Sequence, residues 1–325
     1  MTLSINSYDW LDFLESEYLA SFIKDGGSAI KFAVPLEDDI AATLSFEIKA
    51  RARQRGYVVA HVDAGLTRVH MVEQLFFAVA EQVPWPETVQ RVVGRLTEAE
   101  HPAPPTPGDG PLFRRLADAN GLDADLLLSD LRRKIQAQVL RHKRLAKDFR
   151  VAMTQLADAE LVGADEAKTV YGVLTDWLCG RNRSVSAVKP YHIFTRITRA
   201  NARYLFESLL AWLAFAGYSG LVLTIDISRI SVVRNPKDER LHYSKAGVLD
   251  ALELLRQFID ATDRLDNCLI VVVPDPKFLD EEIDGRGIGA YEALKFRVYD
   301  EVRDRRLVNP MASLVRLTGA KEVVR

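Results

Sequence analysis

Residues 219–229 read SGLVLTIDISR. Five apolar side chains (Leu221, Val222, Leu223, Ile225 and Ile227) surround one acid, Asp226. Gly217 and Gly220 separate the run from an apolar helical stretch before it. This is the pattern of a strand buried on both faces of a parallel sheet. Its acid stands where the strand leaves the sheet, and open α/β sheets bind ligands outside those carboxyl ends. An Asp there either serves a ligand or caps the next turn. The surrounding chain has to separate the two.

Working outward, residues 28–34 (SAIKFAV) alternate like a strand and residues 57–63 (YVVAHVD) form another. Between them lies a turn at 35–39, then a helix capped by Asp38 or Asp39 that reaches Arg55 and stops at Gly56. Strand, turn, helix, glycine and strand in that order make a βαβ unit, which fixes the class as α/β with a parallel sheet. Residues 267–273 (NCLIVVV) read as a further buried strand broken by Pro274-Asp275-Pro276, and 313–317 (SLVRL) as a short last one.

Helical spacing covers 6–25, 70–83, 87–100, 124–146, 164–178, 193–215, 241–259 and 291–305. The proline-rich stretch 101–111 (HPAPPTPGDGP) is a linker or surface excursion, and no strand signal appears from 112 to 178. The expected organisation is one part of an α/β domain at 1–100, a linker and basic helical insertion at 101–192, and the second part of the α/β domain at 193–325.

The composition is that of a soluble globular protein, with 48% hydrophobic and 27% charged residues over 325 positions and a net charge of −2. Such a balance gives the whole molecule no bias toward nucleic acid or membrane. Cys179 and Cys268 stand in apolar company, as buried residues of a reducing compartment do. With no leader at the start and no apolar run of spanning length, the expected location is the cytoplasm. No C-x-x-C, H-E-x-x-H or G-x-S-x-G spacing occurs, so neither a zinc site nor a hydrolase elbow is expected. The acids Asp280, Glu281, Glu282 and Asp284 read as a solvated loop.

Several segments together resemble a known family. They are GGSAIKFAV (26–34), RGYVVAHVDAG (55–65), RVHMVEQLFFAVAEQV (68–83), RANARYLFESLLAWLAFAGYSGLVLTIDIS (199–228), LIVVVPDPKFLDEE (269–282) and YEALKFRV (291–298). In order and spacing the chain is similar to the P-loop ATP-binding subunits of BREX (bacteriophage exclusion) and related phage-defence systems, relatives of the origin-recognition type of AAA+ ATPase. The resemblance implies a P-loop NTPase-like, AAA+-like parallel sheet flanked by helices, with other defence-system proteins as partners. It also implies ATP and Mg²⁺ as ligands if the chemistry is intact, and allows for a homo-oligomer.

The chemistry of that family makes three demands. A phosphate loop needs glycines whose N–H groups close on phosphate, and a Lys before a Ser/Thr. The corresponding stretch, VPLEDDIAAT (34–43), has no glycine, and no Lys occurs between Lys31 and Lys49. The nucleotide-binding positions would be Leu36, Glu37, Asp38, Asp39, Ala41, Ala42 and Thr43, with Asp226 and Asp275 beyond them. Glu37, Asp38 and Asp39 bring three negative charges to a place where a triphosphate adds more, a repulsion of several kcal/mol at an effective dielectric of ~20.

The second demand is a Mg²⁺-holding Asp on the next strand, with a Glu after it to polarise water. Asp226 is present, but Ile227 follows, and an aliphatic side chain takes no proton. The third is a polar residue reading the γ-phosphate, where Asp275 stands instead. Arg286 and Arg297 are the candidates for an arginine finger. The expectation is a pseudo-ATPase with no catalytic residue and no cofactor, the alternative an active ATPase.

Residues 131–203 carry fifteen Lys/Arg against six Asp/Glu. Arg132, Arg133, Lys134, Arg141, Lys143, Arg144, Lys147 and Arg150 are expected on one or two helices, either as a solvated face or as a contact for DNA.

Overall fold

A computed structural model describes residues 3–98, 103–108, 110–182, 184–280, 285–299 and 309–319. The chain divides into two compact units, one of residues 1–82 and 218–325, the other of residues 83–217.

The first unit is built on a six-stranded, all-parallel sheet. Its strands are β1 (Ile5–Asn6), β2 (Ser28–Pro35), β3 (Val58–Asp63), β4 (Leu221–Asp226), β5 (Cys268–Val273) and β6 (Leu314–Thr318). They lie in the order β1-β6-β2-β5-β4-β3. Helices α1 (Ser7–Phe13), α2 (Asp38–Gln54) and α3 (Val72–Ala80) belong to this unit, as do α11 (Lys245–Asp260) and α12 (Glu292–Val298). This is a P-loop NTPase-like α/β architecture.

The strands expected at 28–34, 57–63, 219–229, 267–273 and 313–317 are all present. The strands flanking α2 share the sheet but are not neighbours, because β5 and β4 lie between β2 and β3. Each of β2, β4 and β5 has a strand on both sides and apolar side chains on both faces. All six side chains of β5 are buried, each contributing about 2 kcal/mol of apolar transfer free energy. One face packs Trp10, Leu14, Leu19 and Ile23 with Leu44 and Ile48 of α2 onto Val222, Leu269 and Val271. The opposite face holds Leu223, Ile270 and Val272, and the Phe32 ring stacks on Phe278 with centroids 6.2 Å apart.

Two polar devices complete the sheet. Lys31, 5% exposed, donates from Nζ to the carbonyls of Met311 and Ala312, and its ammonium lies 4.7 Å from the Tyr18 ring centroid. It thereby ties β2 to the turn that starts β6. On the outer strand β3, the Gln82 amide accepts from His61 N–H at 2.9 Å and donates to His61 C=O at 2.8 Å. A side chain thus occupies an edge that another strand would otherwise pair with.

The second unit is helical: α4 (Trp85–Glu98), α5 (Leu112–Asn120), α6 (Ala124–Ile135), α7 (Lys147–Val162), α8 (Ala164–Leu178), α9 (Val185–Val188) and α10 (Ala202–Phe215). Its interior includes Phe149, Met153, Leu156 and Trp212, with Trp212 Nε1 donating to Thr88 Oγ1 at 3.0 Å.

Some expected elements are shorter or broken. The segment 193–215 is helical only from Ala202, because Asn201 Oδ1 accepts from Thr198 N–H and Asn201 Nδ2 donates to Arg196 C=O, holding a turn there. The expected 124–146 helix passes at Gln136 into a π-helical turn that ends at Leu140, leaving 141–146 as a connection. The helix expected from 241 starts at Lys245, capped by Ser244, whose Oγ accepts from Gly247 N–H at 3.1 Å. The helix from 291 is seen as α12 to Val298, and residues 300–308 lie outside the described part. β1 gave no signal in the sequence.

Burial pushes the Lys31 ammonium down to about 8 from an ordinary value of 10.5. Between these values the unfolded chain binds more protons, so this group adds stability as pH rises from 8 to 10.5 and loses it as pH falls back to 8. Urea denaturation should show wild type gaining up to about 1.4 kcal/mol per pH unit over Lys31→Met in that window, and parallel curves would contradict it. Gly220 has φ of +136°, and a Cβ there would sit 2.0 Å from the carbonyl oxygen of Asn267. Gly220→Ala should therefore cost about 3 kcal/mol or more in the same assay, and a loss under about 0.5 kcal/mol would show that the crossing yields easily.

Candidate functional site

Winding reverses at β2. The connection through α2 carries the chain to β3 at the far side of the sheet, whereas β6 pairs on the other side of β2. In open α/β sheets a ligand crevice forms outside the carboxyl end of the strand at such a switch point. Phe32 is level with Val272, and Asp226 is level with both Val273 and Asp63. The bend after β2 and the ends of β5, β4 and β3 therefore emerge at one edge.

At the bend, Leu36 N–H continues the ladder to Leu317 C=O at 2.9 Å. The expected cap at Asp38 or Asp39 is corrected: Glu37 holds the N-cap position, and both aspartates lie in the first turn of α2. The Glu37 side chain does not cap. It accepts from Gly319 N–H at the end of β6, with both carboxylate oxygens at 3.2 Å. Glu37, Asp38 and Asp39 are exposed at the positive end of the α2 dipole, where each acid is worth about 0.3–1 kcal/mol. That end is also where a phosphate would seat. Ala41 and Ala42 are exposed without polar atoms to offer, and Thr43 donates its hydroxyl back to Asp39 C=O at 2.9 Å.

Next along the edge, Asp226 Oδ1 accepts from Ser228 N–H at 2.8 Å. Ile227 after it is buried, 1% exposed, in the position where a water-polarising acid would stand. Asp63 accepts from Gly65 N–H at 2.6 Å and from Arg240 Nη2, which reaches its two oxygens at 2.7 and 2.5 Å. Arg240 lies directly over Gly65, where an added Cβ would come within 2.3 Å of the guanidinium. Its loop is pinned from below by Arg229, which is 6% exposed. Arg229 donates to Leu241 C=O at 2.6 Å and forks onto Asp238 at 2.9 and 2.6 Å. The Arg229 hydrogen bonds hold the Asp238 carboxyl below the ordinary range. One layer deeper, His61 Nδ1 lies 2.8 Å from Thr224 Oγ1, and burial lowers the imidazole pKa from its ordinary value. Asp275 Oδ1 accepts from Lys277 N–H at 2.8 Å and caps the short helix after β5.

The structure thus brings the bend, Asp226 and Asp275 to one edge and adds Asp63 and Arg240, which sequence reasoning did not single out. Asp63 ends YVVAHVD as Asp226 ends its own strand, so the same pattern pointed to it. Arg286 is placed differently from a finger. It is 4% exposed and donates to Tyr243 C=O at 2.9 Å and Ile230 C=O at 3.4 Å, so its guanidinium is held inside its own unit. Arg297 is on the surface, paired with Asp260 and donating to Ala293 C=O at 3.0 Å.

The basic residues of the helical unit fall into two groups. On α6, Arg132 pairs with Asp158 while Arg133 and Lys134 pair with Asp130. Arg141, Lys143 and Arg144 lie in the connection rather than on a helix, Lys147 opens α7, and half-buried Arg150 follows on it. Of the acidic loop, Asp280 is described and residues 281, 282 and 284 lie outside the described part. Among the described residues no group of three or more His, Cys, Asp or Glu is placed to hold a metal ion, and no helix is long and apolar enough to cross a membrane.

No curated protein and no solved structure matches the chain. A family description, BREX system ATP-binding protein BrxC/D, matches residues 114–323. The match takes in β4, β5 and β6 with Asp226 and Asp275, and begins after the bend and α2. It spans well over half of the sequence, and the chain belongs to this family of BREX phage-defence components.

Proposed function

We propose that this BREX component acts as a scaffold or regulator built on an ATPase-like fold, without turning over ATP itself. The carrying observation is the filled edge. The helix end that would receive phosphate bears Glu37, Asp38 and Asp39, no lysine stands in the bend, and Glu37 is engaged by Gly319 N–H. A triphosphate entering there meets like charge on charge, at several kcal/mol for close pairs even at an effective dielectric of ~20. Asp226 followed by buried Ile227 gives no group to orient a water. Its partners on this reading are other components of the same system.

One observation favours a second reading, an active ATPase. Asp226 is retained at the same sheet edge, on β4 with β5 between it and the switch-point strand β2, where a Mg²⁺-bound nucleotide would lie. On that reading Leu36 to Thr43, Asp226 and Asp275 surround ATP and Mg²⁺, and Asp226→Ala abolishes turnover with the fold intact.

Isothermal titration with ATP and Mg²⁺ separates the two. The scaffold reading predicts no saturable heat up to about 1 mM nucleotide, binding weaker than about −4 kcal/mol. Micromolar affinity with turnover that Asp226→Ala removes establishes the second reading in its place.

A further inference from the structure

The connection between α6 and α7 is a rigid turn that presents cations. Val139 before it is fully buried and Leu145 within it is 3% exposed, so apolar anchors fix both of its ends. Its backbone folds on itself, Arg141 N–H donating to Gln136 C=O, His142 N–H to Val139 C=O and Leu145 N–H to His142 C=O. Ser208 of α10 accepts from Ala146 N–H at 2.8 Å, and the His142 ring lies against Phe215 with centroids 5.4 Å apart. Four cationic side chains, Arg141, Lys143, Arg144 and Lys147, are exposed on this frame within seven residues. The acid nearest in sequence, Asp148, accepts a hydrogen bond from the Thr195 hydroxyl. Burial, and after it the charge of Arg144, lowers the His142 pKa.

This turn differs from the rest of the basic region. On α6, Arg132 stands beside Asp158, and Arg133 and Lys134 share Asp130, whereas the connection brings Arg141, Lys143 and Lys147 to the surface in one short turn. The first N–H groups of α7 add to it, since Ala146 at the N-cap position provides no side-chain acceptor for them.

The chemistry of the turn selects among polyanions. From 141 to 147 there is no Asn or Gln to read an adenine edge, no Asp or Glu to read a cytosine edge, and no exposed aromatic ring on which an unpaired base could stack. Phe149 just beyond is fully buried. What remains is positive charge on long side chains held over a fixed backbone, which suits regularly spaced phosphates.

We propose that the Arg141–Lys147 turn contacts the phosphodiester backbone of duplex DNA without reading its sequence. Three or four phosphates are within its capacity, so log K should fall against log[salt] with a slope of about −2.7 to −3.6.

Fluorescence anisotropy of the full chain with a labelled duplex of arbitrary sequence, and with one of its strands alone, tests this. Wild type should bind the duplex at low salt with that slope, and bind the single strand no more tightly. Arg141→Gln, Lys143→Gln and Lys147→Gln should each lower the slope by about one, and changing all three of these residues to Glu together should abolish binding. Arg132→Ala should change affinity by less than about twofold, and far-ultraviolet dichroism with a melting curve checks that each variant folds. Absence of duplex binding by wild type at low salt, undiminished binding by the folded Gln variants, or preference for the single strand would overturn the proposal.

Discussion

A parallel sheet buried on both faces sends its polar strand ends out at one edge, and the rest of the first unit is arranged to satisfy that edge. β2, β3, β4 and β5 run the same way, so Glu37 at the bend, Asp63, Asp226 and Asp275 all emerge together. Carboxylates gathered on one rim repel each other unless donors are supplied. Here the donors are internal: Gly319 N–H for Glu37, Ser228 N–H for Asp226, Lys277 N–H for Asp275, and Arg240 for Asp63. A catalytic rim of the same fold leaves such positions for a metal ion and phosphates.

The buried strands were legible because both-face burial writes a continuous apolar run, as in LVLTID and CLIVVV. Strand neighbours were not, since no local pattern states that β4 and β5 lie between β2 and β3. Nor was β1, too short to show a period. Helix ends were misplaced where side chains compete for the backbone, as at Thr198 and Asn201, or where a π-turn interrupts an amphipathic stretch, as at 136–140.

At the site, the acid trio and Ile227 were readable as types, because the chemistry of phosphate binding is stated in residue types. Their partners were not. Glu37 with Gly319 and Asp63 with Arg240 are separated by 282 and 177 positions in the sequence. Arg286 shows the same limit: an arginine in a polar stretch looks solvated until its burial against Ile230 and Tyr243 is seen. The basic region was legible as a charge count, but only the fold shows which cations stand beside Asp130 and Asp158 on α6 and which lie in the turn after it.

Membership in the BREX family rests on residues 114–323, which include the helical unit from Arg114 onward and the last three strands, while the bend lies before them. The functional reading therefore depends on that bend. A crystal grown with a non-hydrolysable ATP analogue and Mg²⁺ at millimolar concentration examines it most directly. The account predicts an empty bend at 36–43 with Arg240 still on Asp63. A γ-phosphate seated against the first turn of α2 would contradict it.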